Sequence, residues 1–162
     1  MEIRLGTSGD AGAIAGMLQN LAADIGDGDI FRSDEAAIRR YGFGPSPLFH
    51  VMMAMDAGAP LGLALYFPGY STTMAAPGLY VQDLWVSSAA RGAGLGARLL
   101  KAAADHAAKA WGAQYLALTV YQDNPKAQAF YQRLGFDLHR QENPMRLTGG
   151  AFQALTAGVS AQ

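Results

Sequence analysis

The stretch Arg91-Gly92-Ala93-Gly94-Leu95-Gly96-Ala97 decides how the rest of this chain is read. It joins an apolar run at 79–86 (LYVQDLWV) to a segment with helical periodicity. Gly92, Gly94 and Gly96 let the backbone approach a ligand closely and leave several N–H groups unpaired. With the positive end of the helix dipole, those donors suit an anion such as a pyrophosphate. Arg91 and Arg98 add fixed positive charge. The plainer reading is a glycine-rich turn. Gly92, Gly94 and Ala97 also satisfy G-x-G-x-x-G/A, the dinucleotide fingerprint. That motif begins directly at the end of a first strand, whereas here Ser87-Ser88-Ala89-Ala90 intervene and three strands precede. The acidic residue expected about 20 residues further on is also missing. No G-x-x-x-x-G-K-[ST] occurs, which removes P-loop chemistry.

Upstream, residues 2–6 alternate as an edge strand, and Asp10 opens a helix over 10–23 through Ile14, Met17, Leu18 and Leu21. Residues 24–33 form an acidic loop, and Ser33 or Asp34 caps a short helix through about Arg40. Strands follow at 49–55 and 61–70, across a turn at 57–60, with a third at 79–86. Downstream, Leu95, Leu99, Leu100, Ala103 and Ala107 mark a helix over 94–110, and 115–121 is a strand. Asn124-Pro125 caps a helix to about Leu134, stopped by Gly135. A strand pair over 136–148 and a weak helix over 151–157 complete the chain. This order predicts an α/β fold: a mixed sheet, antiparallel in its N-terminal half, with a parallel pair beside the glycine loop and helices on both faces. Ligands prefer the point where the connection changes, because neighbouring strands diverge there.

The chain has 162 residues, enough for one domain spanning 1–162 with a real core. Twelve basic residues against thirteen acidic ones argue against a polyanion-binding role, so no nucleic-acid partner is expected. No run of 18 apolar residues spans a membrane, and the N-terminus has no basic-then-apolar leader, so a cytoplasmic location is expected. Zero cysteines remove disulfides, thiolate zinc sites and a cysteine nucleophile. His50, His106 and His139 have no metal-ligand spacing, and no metal is expected.

Arg91, Gly94 and Gly96 meet the pattern [Q/R]-x-x-G-x-[G/A], and Ala127, Phe130, Tyr131, Gly135 and Phe136 meet A-x-x-F-Y-x-x-x-G-F. With the apolar strand upstream and Asn124-Pro125 about 30 residues on, the chain resembles the GNAT superfamily of N-acetyltransferases. Residues 42–51 (GFGPSPLFHV), Tyr70-Ser71-Thr72 and 80–86 (YVQDLWV) are similar to its spermidine/spermine (diamine) acetyltransferase subfamily. The resemblance implies the GNAT fold, acetyl-CoA as cosubstrate, a small-molecule amine acceptor and a homodimer. It implies that residues 91–97 hold the pyrophosphate, Leu84, Trp85 and Val86 the pantetheine, and Asn124, Lys126 and Ala127 the arm beyond.

An amine attacking a thioester must lose a proton, the oxyanion needs donors, and the leaving thiolate needs an acid. Tyr131 is the acid by resemblance, since a phenol can donate to a thiolate. Backbone N–H groups of 84–86 would serve the oxyanion. Without a cysteine, direct transfer in a ternary complex is preferred to an acyl-enzyme. The subfamily places glutamates where this chain has Gln82 and Ile25, which weakens attraction for a polycation. Asp83 remains, facing opposite to Gln82 on an alternating strand, and Asp24 is adjacent to Ile25. Asp24, Gln82 and Asp83 are therefore the substrate-side candidates, with a water chain as another base. Asp24, Asp27 and Asp29 rim an amine pocket or form a solvated loop; Tyr66, Tyr70 and Tyr80 line that pocket or pack in the core. A protein lysine or N-terminal acetyltransferase and a non-catalytic acyl-CoA-binding module stand as the other readings.

Overall fold

The computed structural model describes residues 1–139 and 144–157. They fall into two compact units, Met1–Tyr121 and a second from residue 122 onward. In the first unit the elements run β1 (Glu2–Leu5), α1 (Ala11–Ile25), α2 (Glu35–Phe43), β2 (His50–Asp56), β3 (Ala59–Ser71), β4 (Ala76–Val86), α3 (Leu95–Trp111) and β5 (Leu116–Leu118). The sheet order follows the chain, β1-β2-β3-β4-β5. The first three pairings are antiparallel and β4–β5 is parallel, as the sequence predicts.

The two faces of the sheet are covered by different helices because the side-chain period is two. Val51, Met53, Leu63 and Leu65 pack with Ala11, Ile14, Met17 and Leu18 of α1 and Ile38 of α2. The alternate residues, including Met52, Ala54, Ala64 and Tyr66, are buried on the opposite face, where α3 brings Leu95, Leu99, Leu100, Ala103 and Ala107. Each large aliphatic side chain so buried contributes roughly 1.5–3 kcal/mol of transfer free energy. Asp34 caps α2 by accepting from the Ala37 N–H at 2.7 Å. Gly26 ends α1 in the left-handed region at φ 86°, its N–H on the carbonyls of Ala22 and Ala23.

Two sequence expectations differ. The strand expected over 115–121 is paired only at 116–118, because β4 leaves β5 after Val81. Of the strand pair expected over 136–148, the described residues 136–139 and 144–148 form no strand, and 140–143 lie outside the described residues. Tyr66 takes the second of the two placements that the sequence leaves open, the core. Tyr66 is fully buried on the α3 face, and its hydroxyl meets His106 Nδ1 at 2.9 Å. His106 joins a cluster with His50 (centroids 5.2 Å apart) and Trp111 (5.7 Å).

His50 stacks on Trp111 at 5.5 Å, and burial with the nearby His106 holds its ionisation below the ordinary 6.5. The unfolded chain therefore takes up this proton first. The stability carried by neutral His50 is present above the unfolded value near 6.5 and is lost as pH falls below it. His50→Phe keeps a ring against Trp111 and is expected to shrink the drop in thermal midpoint between pH 7 and pH 5. An unchanged drop would place the acid sensitivity elsewhere.

The second unit contains α4 (Pro125–Arg133) and α5 (Gly149–Ala157). Asn124 caps α4 by accepting from the Ala127 N–H at 3.1 Å, with Pro125 in the first turn. Gly135, at φ 93°, reverses the chain so that the Phe136 N–H returns to the Tyr131 carbonyl at 3.1 Å.

Candidate active site

Strand β4 organises the first unit's site, and its register is the decisive detail. Leu65 of β3 lies opposite Asp83, but Tyr66 lies opposite Val81, so Gln82 is an extra residue without a cross-strand partner. Such a bulge bends the strand and re-aims its side chains. Strict alternation would send Gln82 and Asp83 to opposite faces; instead both line one cavity of about 610 Å³. Past Val81, β4 has no partner on its β5 side among the described residues. An open strand edge therefore runs from the cavity through Leu84, Trp85 and Val86 to the glycine loop.

In that loop Gly92 and Gly94 adopt φ 84° and 72°, the left-handed region that side chains resist. A Cβ at either would meet no atom within 4 Å, so the glycines are required by backbone conformation and face open space. Gly94 caps α3 without any side-chain bond. Among the described residues, no N–H from Gly92 through Ala97 has a protein acceptor. Six successive unpaired donors at a helix N-terminus have the electrostatics that suit an anion.

Arg91 is not a free cation over this site. Its Nε donates to the Val86 carbonyl at 2.9 Å and its guanidinium pairs with Asp24. Asp24 also accepts from the Trp85 indole at 3.0 Å. The pair is half exposed and contributes little to stability; its effect is to fix the end of α1 against β4 and the loop. Asp24 is therefore occupied with the loop and does not line the cavity. Arg98 stays exposed on α3.

The cavity lies between α1, α2, β3 and β4, with apolar walls that include Leu18, Phe31, Phe49 and Phe67. Gln82 and Ile25, the two positions where the similar subfamily has glutamates, both line it. Each has a carboxylate close by in sequence on the same cavity, Asp83 and Asp27. Asp27 accepts from the Tyr121 hydroxyl at 2.6 Å. Asp83 has no hydrogen-bond or ion-pair partner among the described residues, and burial pushes its carboxyl up to about 6. A carboxylate poised there is suited to take a proton near neutral pH.

Of the three tyrosines, none lines the cavity. Tyr70 is exposed, while Tyr80 stacks on Phe67 at 5.3 Å and bonds Thr119 at 2.7 Å. Arg32 and Ser33 do line it, though no motif marks them. The sequence signals for them are their place in the loop after α1 and, for Ser33, its reading as a helix cap.

In the second unit, Asn124 spends its side-chain oxygen on the helix cap, and Lys126 is exposed in the first turn. Tyr131 is half-buried, its ring 5.1 Å from Phe130 and 5.5 Å from Phe136. Burial pushes its phenol up to about 12, so it stays protonated at any ordinary pH. Among the described residues, no cluster of three or more His, Asp or Glu side chains is arranged to hold a metal ion. No helix among them is long and apolar enough to cross a membrane.

Residues 17–136 match the acetyltransferase (GNAT) family. A pig thialysine N-epsilon-acetyltransferase is 33% identical over 164 residues, covering 94% of this chain and 95% of that protein. A human spermidine/spermine N(1)-acetyltransferase-like protein is 33% identical over 107 residues, covering 62% of this chain and 15% of the other. Among solved structures, an integron cassette protein from the mobile metagenome of V. cholerae superposes with a TM-score of 0.77 at 28% identity, covering 96% of each chain.

Proposed function

The chain belongs to the acetyltransferase (GNAT) family, and from that premise we propose that it moves an acetyl group from acetyl-CoA to a small primary amine by direct attack. The observation that carries this is the course of β4. Its bulge puts Asp83 into an apolar-walled cavity, its edge past Val81 is unpaired, and its end leads into six unpaired N–H groups. One strand thus joins an amine-sized cavity to an anion site across a row of backbone donors.

The residues present fit the donor. Gly92 through Ala97 would take the pyrophosphate on backbone N–H groups, with Arg91 held back by Asp24 as a support for the loop. Leu84, Trp85 and Val86 would pair with the pantetheine arm along the open edge and offer N–H groups to the oxyanion. Asn124, Lys126 and Ala127 are assigned to the distal part of the arm, where Lys126 supplies a cation.

In the transfer, the acceptor ammonium gives a proton to Asp83, and the neutral nitrogen attacks the thioester carbonyl carbon. A C–N bond forms, the C–S bond breaks, and the thiolate receives a proton from Tyr131. The attacking nitrogen gives up its second proton, which restores the Tyr131 phenol through solvent, and Asp83 returns its own proton to solvent. Asp83 takes the role that the missing glutamate would have held at Gln82. The pig relative's name gives an amine on an amino acid as its acceptor, in keeping with a small acceptor here.

Acetyl-CoA-dependent thiol release across diamines, polyamines, amino acids and aminoglycosides tests this reading. The chain has no cysteine and adds no background thiol. Silence across the panel with acetyl-CoA still bound would favour a protein acceptor or a module without turnover. In the same assay Gly94→Ala is expected to raise the KM for acetyl-CoA by roughly tenfold. Its Cβ strains the left-handed backbone that holds the loop in shape. An unchanged KM would remove the pyrophosphate from this loop.

A further inference from the structure

The cavity between α1, α2, β3 and β4 carries three charged side chains, Asp27, Arg32 and Asp83. A pocket built only for a diamine or polyamine has no use for a cation, because every charge on such a ligand is positive and Arg32 repels it. Arg32 is held at the cavity from one end of its guanidinium. Its Nη1 donates to the carbonyls of Asp29 and Phe31, both at 2.8 Å. Among the described residues no acceptor takes its Nη2 or Nε, and no carboxylate pairs with it. An oriented, unpaired guanidinium fork is the geometry that receives a carboxylate with two hydrogen bonds. The adjacent Ser33, also on the cavity, has a hydroxyl to add.

We infer that Arg32 forms a carboxylate subsite, so that the acceptor is an α-amino acid carrying a second, terminal amine. This rests on the acetyl-transfer reading above and names the substrate class for that same cavity. The charges then match one for one. Arg32 meets the α-carboxylate, Asp27 the α-ammonium and Asp83 the terminal amine that reacts. The methylene chain between them lies along walls that include Ile25, Phe31, Leu65 and Phe67. Asp27 keeps lone pairs for this role, since Tyr121 uses one position on its Oδ2.

Ornithine with putrescine, and lysine with cadaverine, are the probes, because each pair differs only in the carboxylate. For the unaltered protein, kcat/KM is expected to be roughly tenfold to a hundredfold higher for the amino acid of each pair, mostly through KM. Arg32→Gln is expected to bring the ratio close to one by raising KM for the amino acids while leaving the diamines unchanged or improved. Arg32→Lys is expected to recover part of the preference, which a merely structural role in the loop would not produce. Calorimetric titration with ornithine keeps the subsite separable from the chemistry. Arg32-dependent ornithine binding without turnover would uphold the subsite and overturn the transfer reading. Equal kcat/KM within each pair, or a preference and an ornithine affinity that both survive Arg32→Gln, would overturn the subsite.

Discussion

Asp83→Asn is expected to lower kcat by about 10²- to 10⁴-fold, the range that a positioned base contributes, with little change in the affinity for acetyl-CoA. The carboxyl is half-buried on the cavity and pushed up to about 6, so the unaltered enzyme should gain activity as pH rises through about 6. The variant loses that limb together with most of its rate. A rate within threefold of the original, or a limb near 6 that persists, would move deprotonation to water and leave Asp83 as a binding group.

The same substitution should raise stability at neutral and higher pH. The folded carboxyl titrates near 6 and the unfolded one near 3.8, so between those values the folded state holds the extra proton. Stability therefore rises as pH falls through that window, and ionised Asp83 costs on the order of 3 kcal/mol above it. The amide introduced by Asp83→Asn carries no charge to bury. The variant's thermal midpoint should exceed that of the unaltered protein at pH 8, and the advantage should vanish below pH 4. A residue that weakens the fold where the enzyme works is held by its chemistry.

Most of the architecture follows from local patterns. The spacing of Leu95, Leu99, Leu100, Ala103 and Ala107 predicts the α3 face that is in fact buried, and Asn124-Pro125 predicts the α4 cap. The glycines at 92, 94 and 96 predict a loop that leaves N–H groups unpaired, and Gly92 and Gly94 do so in the left-handed region that glycine adopts freely. What the sequence hides is long-range. The bulge at Gln82 depends on how β3 and β4 pair, and its one local trace is two adjacent polar residues inside an apolar strand. Asp24 reads as a cavity carboxylate by proximity to Ile25, yet its partners Trp85 and Arg91 are more than 60 residues away. The short β5 is likewise set by where β4 diverges, not by the apolar character of 115–121. Local periodicity assigns elements; register and ion pairing, fixed only on assembly, decide which carboxylate lines the cavity.

Tyr131→Phe is expected to lower kcat by about 10²- to 10⁴-fold while both substrates bind as before. The tyrosine hydroxyl has no partner among the described residues, so its removal should cost the fold little. A phenol at about 12 is fully protonated and available as an acid, but it is a weak one. An ordinary thiol titrates near 8.5, so complete transfer to a thiolate in water would run uphill. The apolar surroundings that raise the phenol also penalise a thiolate leaving beside it, which narrows that gap. In the proposed transfer the proton would move as the C–S bond breaks, when the developing charge is least tolerated. It follows that the loss in Tyr131→Phe should depend on the leaving group. With an acetyl thioester of a more acidic thiol, which departs without help, the variant should approach the unaltered rate. A loss of equal size for both thioesters would make Tyr131 a packing residue next to Phe130 and Phe136, and the acid would have to be sought elsewhere.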